Sequence, residues 1–205
     1  MSPNNVAYVL TKDDPSNTSL IDSKTSKLAY MVTTEITKGH IITEIRNAAE
    51  QSIATLEWRD TLPDRVSYKA EKTQSVNNWL KPKALLGPSE SEVEFKDEQG
   101  RKFKWKAMQP TQSEDGQIVM ELYAVDSPQS PIATFQRSEE HSPAKMLLTP
   151  EAQELDDLCI TTLLFQEKKR RRNLEKKRRK IRPSQSDGGV VSAALNALGN
   201  ASITI

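Results

Sequence analysis

Thr149-Pro150-Glu151-Ala152-Gln153-Glu154-Leu155-Asp156-Asp157-Leu158-Cys159-Ile160-Thr161-Thr162-Leu163-Leu164-Phe165 is the stretch on which the fold turns. A hydroxyl residue, a proline and an acid in succession have the chemistry of a helix start: a capping oxygen, a ring nitrogen with no N–H to satisfy, and a negative charge near the positive end of the dipole. Lys168 to Arg172 complement the opposite end, so the spacing predicts a helix over about 150–172. From Leu158 to Phe165 the residues are apolar almost all the way round rather than along one stripe. A helix of that kind has to be surrounded by protein. Eight residues rise about 12 Å, far short of a bilayer. The competing reading is a buried strand, because Ile160, Thr161 and Thr162 are β-branched; length and the start signal favour the helix.

Upstream of this segment the period is two. Candidate strands are Val6–Leu10, Leu28–Glu35, Ile41–Arg46, Ser52–Trp58, Arg65–Lys69, Val76–Leu80, Val93–Lys96, Lys102–Lys106, Val119–Ala124 and Ile132–Arg137, with polar loops expected over 11–27 and 107–117. Ten short strands at this spacing suggest a sandwich or a barrel. The sharpest local signal lies over 92–106. Val93 and Phe95 alternate with charged residues, as do Phe103 and Trp105. A plain four-residue loop pairs Lys96 with Arg101 and sets Phe95 against Lys102. A type I turn with Gly100 left-handed in a bulge shifts the register by one, so that Phe95 faces Phe103, Val93 faces Trp105 and Glu94 faces Lys104. The second register keeps both apolar faces together and is the expectation.

At 205 residues, with 36% hydrophobic and 28% charged side chains and a mean hydropathy of -0.65, the chain suits one domain plus a solvated tail. The formal charge of +1 is a cancellation. Residues 1–165 carry 18 Lys/Arg against 25 Asp/Glu, a net of −7, whereas residues 166–205 carry 11 against 3, a net of +8. All eleven aromatic residues lie in the acidic part, ending at Phe165. An acidic body with a basic, aromatic-free extension is the pattern of an interaction tail. No apolar run is long enough to span a membrane, and the first residues lack a basic n-region and an apolar h-region, so an intracellular protein, cytoplasmic or nuclear, is expected. The single Cys159 excludes a disulfide framework within the chain and a multi-cysteine zinc site.

Trp79-Leu80, the run Gly100-Arg101-Lys102-Phe103-Lys104-Trp105-Lys106, Ile132-Ala133-Thr134-Phe135, and Leu155-Asp156-Asp157-Leu158 through Thr161-Thr162-Leu163-Leu164-Phe165 to Arg170-Arg171-Arg172 together resemble a family common in basidiomycete fungi, domain of unknown function 6593, over about 6–172. That family carries no catalytic signature, so the resemblance implies architecture only. The order of strands followed by a buried C-terminal helix is also similar in fold to the tubby-like barrels, which include the phospholipid-scramblase-like and LURP-one-related proteins. This implies a mainly β domain in which a closed, barrel-like antiparallel sheet wraps a central helix. Some tubby-like domains hold phosphoinositide headgroups through basic residues on the barrel, but no residues here match those one by one. The implied division is a flexible N-terminus over 1–5, the barrel-like domain over 6–172, and a basic extension with a disordered tail over 173–205.

No catalytic constellation stands out. His40 and His141 are far apart and share no ligand spacing, so both read as surface or turn residues and neither a metal nor another cofactor is expected. There is no nucleophile elbow, glycine-rich phosphate loop or metalloprotease pair. Glu139 and Glu140 read as solvated loop acids, and Cys159 as a small core residue. Trp58, Trp79 and Trp105 read as core anchors. A stacking platform for single strands is disfavoured, because Lys104 and Lys106 point away from the Trp105 face.

The strong surface signal is the basic run over 168–182, eleven positive charges among fifteen: Lys168, Lys169, Arg170, Arg171, Arg172, Lys176, Lys177, Arg178, Arg179, Lys180 and Arg182. It is read as a candidate anion-binding segment for nucleic acid or an anionic membrane surface, against a simpler role as a solvated helix end that complements the dipole. Only Leu174 and Ile181 are apolar within it, so it cannot insert as an amphipathic anchor. Residues 190–198 place Val190, Val191, Ala194, Leu195 and Leu198 at helical spacing and could dock a protein partner; a disordered tail is the stronger reading. The expectation is thus a non-enzymatic binding or scaffold domain. An enzyme on a tubby-like barrel, or a structural protein whose basic run is a nuclear import signal, are the alternatives.

Overall fold

The computed structural model describes residues 4–82, 92–108 and 118–181. In chain order the elements are β1 (Val6–Leu10), β2 (Thr18–Asp22), β3 (Leu28–Thr37), β4 (His40–Asn47), β5 (Ser52–Trp58), β6 (Arg65–Tyr68), β7 (Gln74–Ser75), α1 (Val76–Trp79), β8 (Lys81–Pro82), β9 (Glu92–Lys96), β10 (Lys102–Ala107), β11 (Ile118–Ala124), β12 (Ala133–Gln136), β13 (Lys145–Leu148), α2 (Pro150–Gln153) and α3 (Asp156–Ile181). The chain divides into two compact units after Lys169. The first holds every strand, α1, α2 and the start of α3. Of the second, the described part is the helical stretch from Arg170 to Ile181.

The strands make one antiparallel sheet in the order β7-β6-β5-β4-β3-β2-β1-β13-β12-β11-β10-β9-β8. Two meanders, each of strands adjacent in sequence, meet where β1 pairs with β13, Val6 opposite Leu148 and Val9 opposite Lys145. The sheet is open. This corrects the expected closed barrel, and with it the tubby-like reading. The outermost strands β7 and β8 are two residues long, each is hydrogen-bonded on one side only, and no ladder joins them among the described residues. The reason lies in Val76–Leu80, expected as a strand. It is instead the short helix α1 followed by Leu80, whose N–H donates to the carbonyl of Val76 at 2.7 Å. In the segment between the two edges the Val76 N–H donates to the Asp64 carbonyl at 2.9 Å and the Leu80 N–H to Val76, so neither donor is offered to a ladder. Pro82 further lacks an N–H at the β8 edge.

Among the described residues the strands number thirteen, where ten were expected. β2 falls inside the presumed 11–27 loop, because Leu20 is its only large fully buried side chain and the flanking Asp14 and Asp22 hold polar turns with the N–H groups of Ser16, Lys24 and Thr25. β13, Lys145–Leu148, is four residues long and followed at once by the helix start. The 92–106 hairpin takes the bulged register: Phe95 faces Phe103, Val93 faces Trp105, Glu94 faces Lys104, and Gly100 has φ 80°. The expected loop at 107–117 lies, beyond Ala107 and Met108, outside the described residues.

The predicted helix forms, in two pieces. Thr149 makes no side-chain capping bond, and α2 ends after one turn at Gln153. The long helix α3 starts at Asp156, whose Oδ1 accepts the N–H of Asp157 at 2.7 Å, and runs on to Ile181. Leu158 through Phe165 are all buried, as the all-round apolar pattern requires. Strands from both meanders grip them. Trp58 of β5 stacks on Phe165 with ring centroids 5.0 Å apart and planes within 4°. Trp105 of β10 donates its indole N–H to Thr162. Thr161 and Thr162 are buried without cost in unpaired polar groups, because their hydroxyls donate back to the carbonyls of Asp157 and Leu158 at 2.7 and 2.8 Å. The core ends at Glu167, 1% exposed, with Arg137 3.7 Å away.

Candidate functional site

The first turn of α3 opens onto a cleft of about 320 Å³. Three segments distant in sequence wall it: the β6–β7 connection, the β9–β10 turn, and Glu154 to Leu158. Two aromatic rings floor it. Tyr68, buried at the end of β6, and Trp79, half-buried in α1, lie 5.8 Å apart at a 33° tilt. The walls are shaped by left-handed backbone. Lys69 and Ala70 have φ 45° and 59°, and Gly100, between the lining residues Gln99 and Arg101, has φ 80°. Asp97 organises that wall by accepting from the N–H groups of Gln99 and Arg101 and, at 2.6 Å, from the Arg101 Nε.

The electrostatics are acidic: six carboxylates line the cleft against three basic side chains. Two of the bases are already engaged. Arg101 is held by Asp97, and Lys69 lies 3.3 Å from Glu98 and 3.8 Å from Asp157. Behind the cleft, tyrosines from β1 and β3 tether the helix start. Tyr30 donates to Asp157 at 2.9 Å and Tyr8 to Asp156 at 3.4 Å, with the two rings edge-to-face 5.7 Å apart. Burial pushes the Asp157 carboxyl above the ordinary aspartate value; the Tyr30 hydrogen bond opposes this and the Asp156 charge adds to it. Burial and then the neighbouring carboxylates push the Tyr8, Tyr30 and Tyr68 phenols far above theirs. These phenols are therefore neutral donors at any physiological pH, fit for holding a ligand or a helix and unfit as bases.

Sequence reasoning did not single out this cleft. Trp79 read as a core anchor in a strand; it belongs to a helix and faces the cavity. The residues 68–71, 79, 96–101 and 154–158 are brought together by the topology alone. The one local signal was the pair Asp156-Asp157 set immediately before an apolar helix, two charges that need an outlet at its end.

The predicted anion-binding residues are helical from Lys168 to Lys180, while Arg182 lies outside the described residues, as does the docking segment at 190–198. They do not form one set. Lys168 lies in the first unit near its boundary, its Nζ 6.0 Å from the centre of the Trp58 ring; burial raises the Asp14 carboxyl, but hydrogen bonds from Ser16 and Asn17 and then the Lys168 charge outweigh it and hold the group low. In the second unit Lys176, Arg178 and Arg179 are exposed, alongside Leu174 and Glu175. His40 is exposed beside Glu57 at 3.3 Å, and His141 is exposed on its loop. Cys159 is buried, and burial raises its thiol far above the reactive range. Among the described residues no group of three His, Cys, Asp or Glu converges as a metal set, and no helix is long and apolar enough to cross a membrane.

Fold and site together define a mainly β protein: a single open antiparallel sheet, a helix buried against it, and a cleft at the helix start. The family model described as "Family of unknown function (DUF6593)" matches residues 13–172, and the chain belongs to that family. No curated protein matches it. Among solved structures it is similar to the X-ray structure of a protein from Arabidopsis thaliana, with 12% identity over 78% of this chain and 90% of that one and a TM-score of 0.42.

Proposed function

We propose that this is a non-catalytic binding domain whose basic helical segment engages the phosphates of a nucleic-acid duplex. The observation that carries the reading is the helical course of α3 through the charged run. Of the fourteen residues from 168 to 181, ten are Lys or Arg, all within one helix. Five consecutive basic residues on a helix sweep about 400° around its axis, so charge faces every direction. A flat membrane surface meets one side of a helix and leaves the other charges idle. A duplex groove has phosphates on both sides and a width that admits a helix. Fourteen helical residues extend about 21 Å, enough to cross such a groove. Phosphate contacts carry no sequence information of their own, so binding through this charge should depend little on base sequence.

The test is binding of the full chain to a random-sequence duplex across a salt series, with phosphatidylserine vesicles as a parallel arm. Affinity for the duplex should fall steeply with salt, and replacing Lys176, Arg178 and Arg179 with Gln should lower the slope by about three units, one for each phosphate no longer neutralised. Unchanged binding by that variant, or binding to vesicles but not to duplex, defeats the reading.

A further inference from the structure

The cleft at the start of α3 has a lining opposite in sign to the basic segment. Its volume of about 320 Å³ falls within the range of small-ligand pockets. Its lining includes the Trp79 indole, which packs against the core on one side and is only half-buried. Its rim is acidic. Glu71 and Glu154 are both exposed at the cleft and neither has a described hydrogen bond or ion pair through its carboxylate.

An anion is poorly served here, although a helix begins at the cleft. Asp156 and Asp157 occupy the first turn, and the Asp156 carboxylate already takes the N–H of Asp157. Of the three cations that line the cleft, Lys69 and Arg101 are committed to carboxylates, which leaves Lys96 alone against six acidic side chains. A half-buried indole that lines a cleft rich in carboxylates is the recognition chemistry of an organic cation. A planar guanidinium suits it better than a compact ammonium, because it stacks flat on indole while its N–H fork meets carboxylates at the edge.

We propose that this cleft binds a guanidinium group, stacked on Trp79 and held by Glu71 and Glu154. The group could arrive on a free small molecule or as the arginine side chain of a peptide; the chemistry is shared and the experiment separates the two.

Tryptophan fluorescence of the full chain is a direct readout. Trp58 and Trp105 are buried and engaged with Phe165 and Thr162, so a change on adding ligand reports on Trp79. N-acetylarginine amide should produce a saturable change, N-acetylglutamine amide should not, and Glu71→Gln with Glu154→Gln should weaken binding by about fivefold or more with the circular dichroism spectrum unchanged. Trp79→Phe should remove the signal, and calorimetry on that variant should show weaker binding. A tighter Kd for an Ala-Arg-Ala peptide than for the amide assigns the site to a polypeptide; equal values assign it to a small molecule. No saturable response up to about 10 mM amide, an equal response to the glutamine compound, or a response to inorganic phosphate instead overturns the proposal.

Discussion

The indole N–H of Trp105 donates to the hydroxyl of Thr162 at 2.8 Å, joining residues 57 apart in sequence at the centre of the core. The same hydroxyl donates to the Leu158 carbonyl, so its proton is spent within the helix and its lone pair is reserved for the strand. Thr162→Val leaves a buried indole N–H without a partner and should cost about 1–3 kcal/mol. Trp105→Phe in the same background should then cost less than it does alone. A double-mutant cycle by urea denaturation should give a coupling of about 1 kcal/mol; additive losses would show that the bond contributes nothing.

Leu163 is fully buried among strands of the sheet. Leu163→Ala should destabilise the protein by about 2–5 kcal/mol, the transfer loss plus the cavity left behind. A loss under about half a kcal/mol in the same denaturation assay would contradict the buried position of α3.

Gly100 has φ 80° and open space where a Cβ would stand. Sterics with neighbours therefore do not decide the outcome; backbone conformation does. Gly100→Val should cost about 1–2 kcal/mol and Gly100→Asn distinctly less, because asparagine tolerates the left-handed region. Equal melting temperatures for the two variants would speak against the bulge.

Asp157 titrates above the ordinary aspartate value in the folded protein, so the native state holds its proton more tightly than the unfolded chain. The group's contribution to stability is thus greatest at low pH and declines as pH rises from the unfolded carboxylate value through the raised native one. Asp157→Asn has no such titration. The stability of the wild-type protein relative to this variant should grow as pH falls through that window, measured by thermal melts at a series of pH values. A difference that is flat with pH, or that grows as pH rises, would show that Asp157 is not destabilised by burial.

Features that depend on neighbouring residues were legible in the sequence. The hairpin register followed from Gly100 and two alternating aromatic pairs, and the burial of 158–165 from a run with no polar face. Features that depend on where distant segments meet were not. An all-round apolar helix requires protein on every side, but neither that requirement, nor the strand spacing, nor the tubby-like resemblance says how the sheet's edges end. The edges are decided by Val76 to Leu80, where Val76, Trp79 and Leu80 satisfy a strand's composition while Asn77 and Asn78, both exposed, suit a turn of helix as well. The cleft was hidden for the same reason: Trp79, Glu71 and Glu154 carry no common motif and become neighbours only in the folded chain.

The pairing of β1 with β13 sets a schedule for biosynthesis. β1 waits for its partner, since Val6–Leu10 cannot find Lys145–Leu148 until some 135 residues more have been translated. At ordinary elongation rates that is on the order of ten seconds, during which the N-terminal meander presents an unpaired β1 edge. A mid-sheet seam closed this late leaves an edge open to wrong pairing in the nascent chain, and its long sequence separation is of the kind that slows folding.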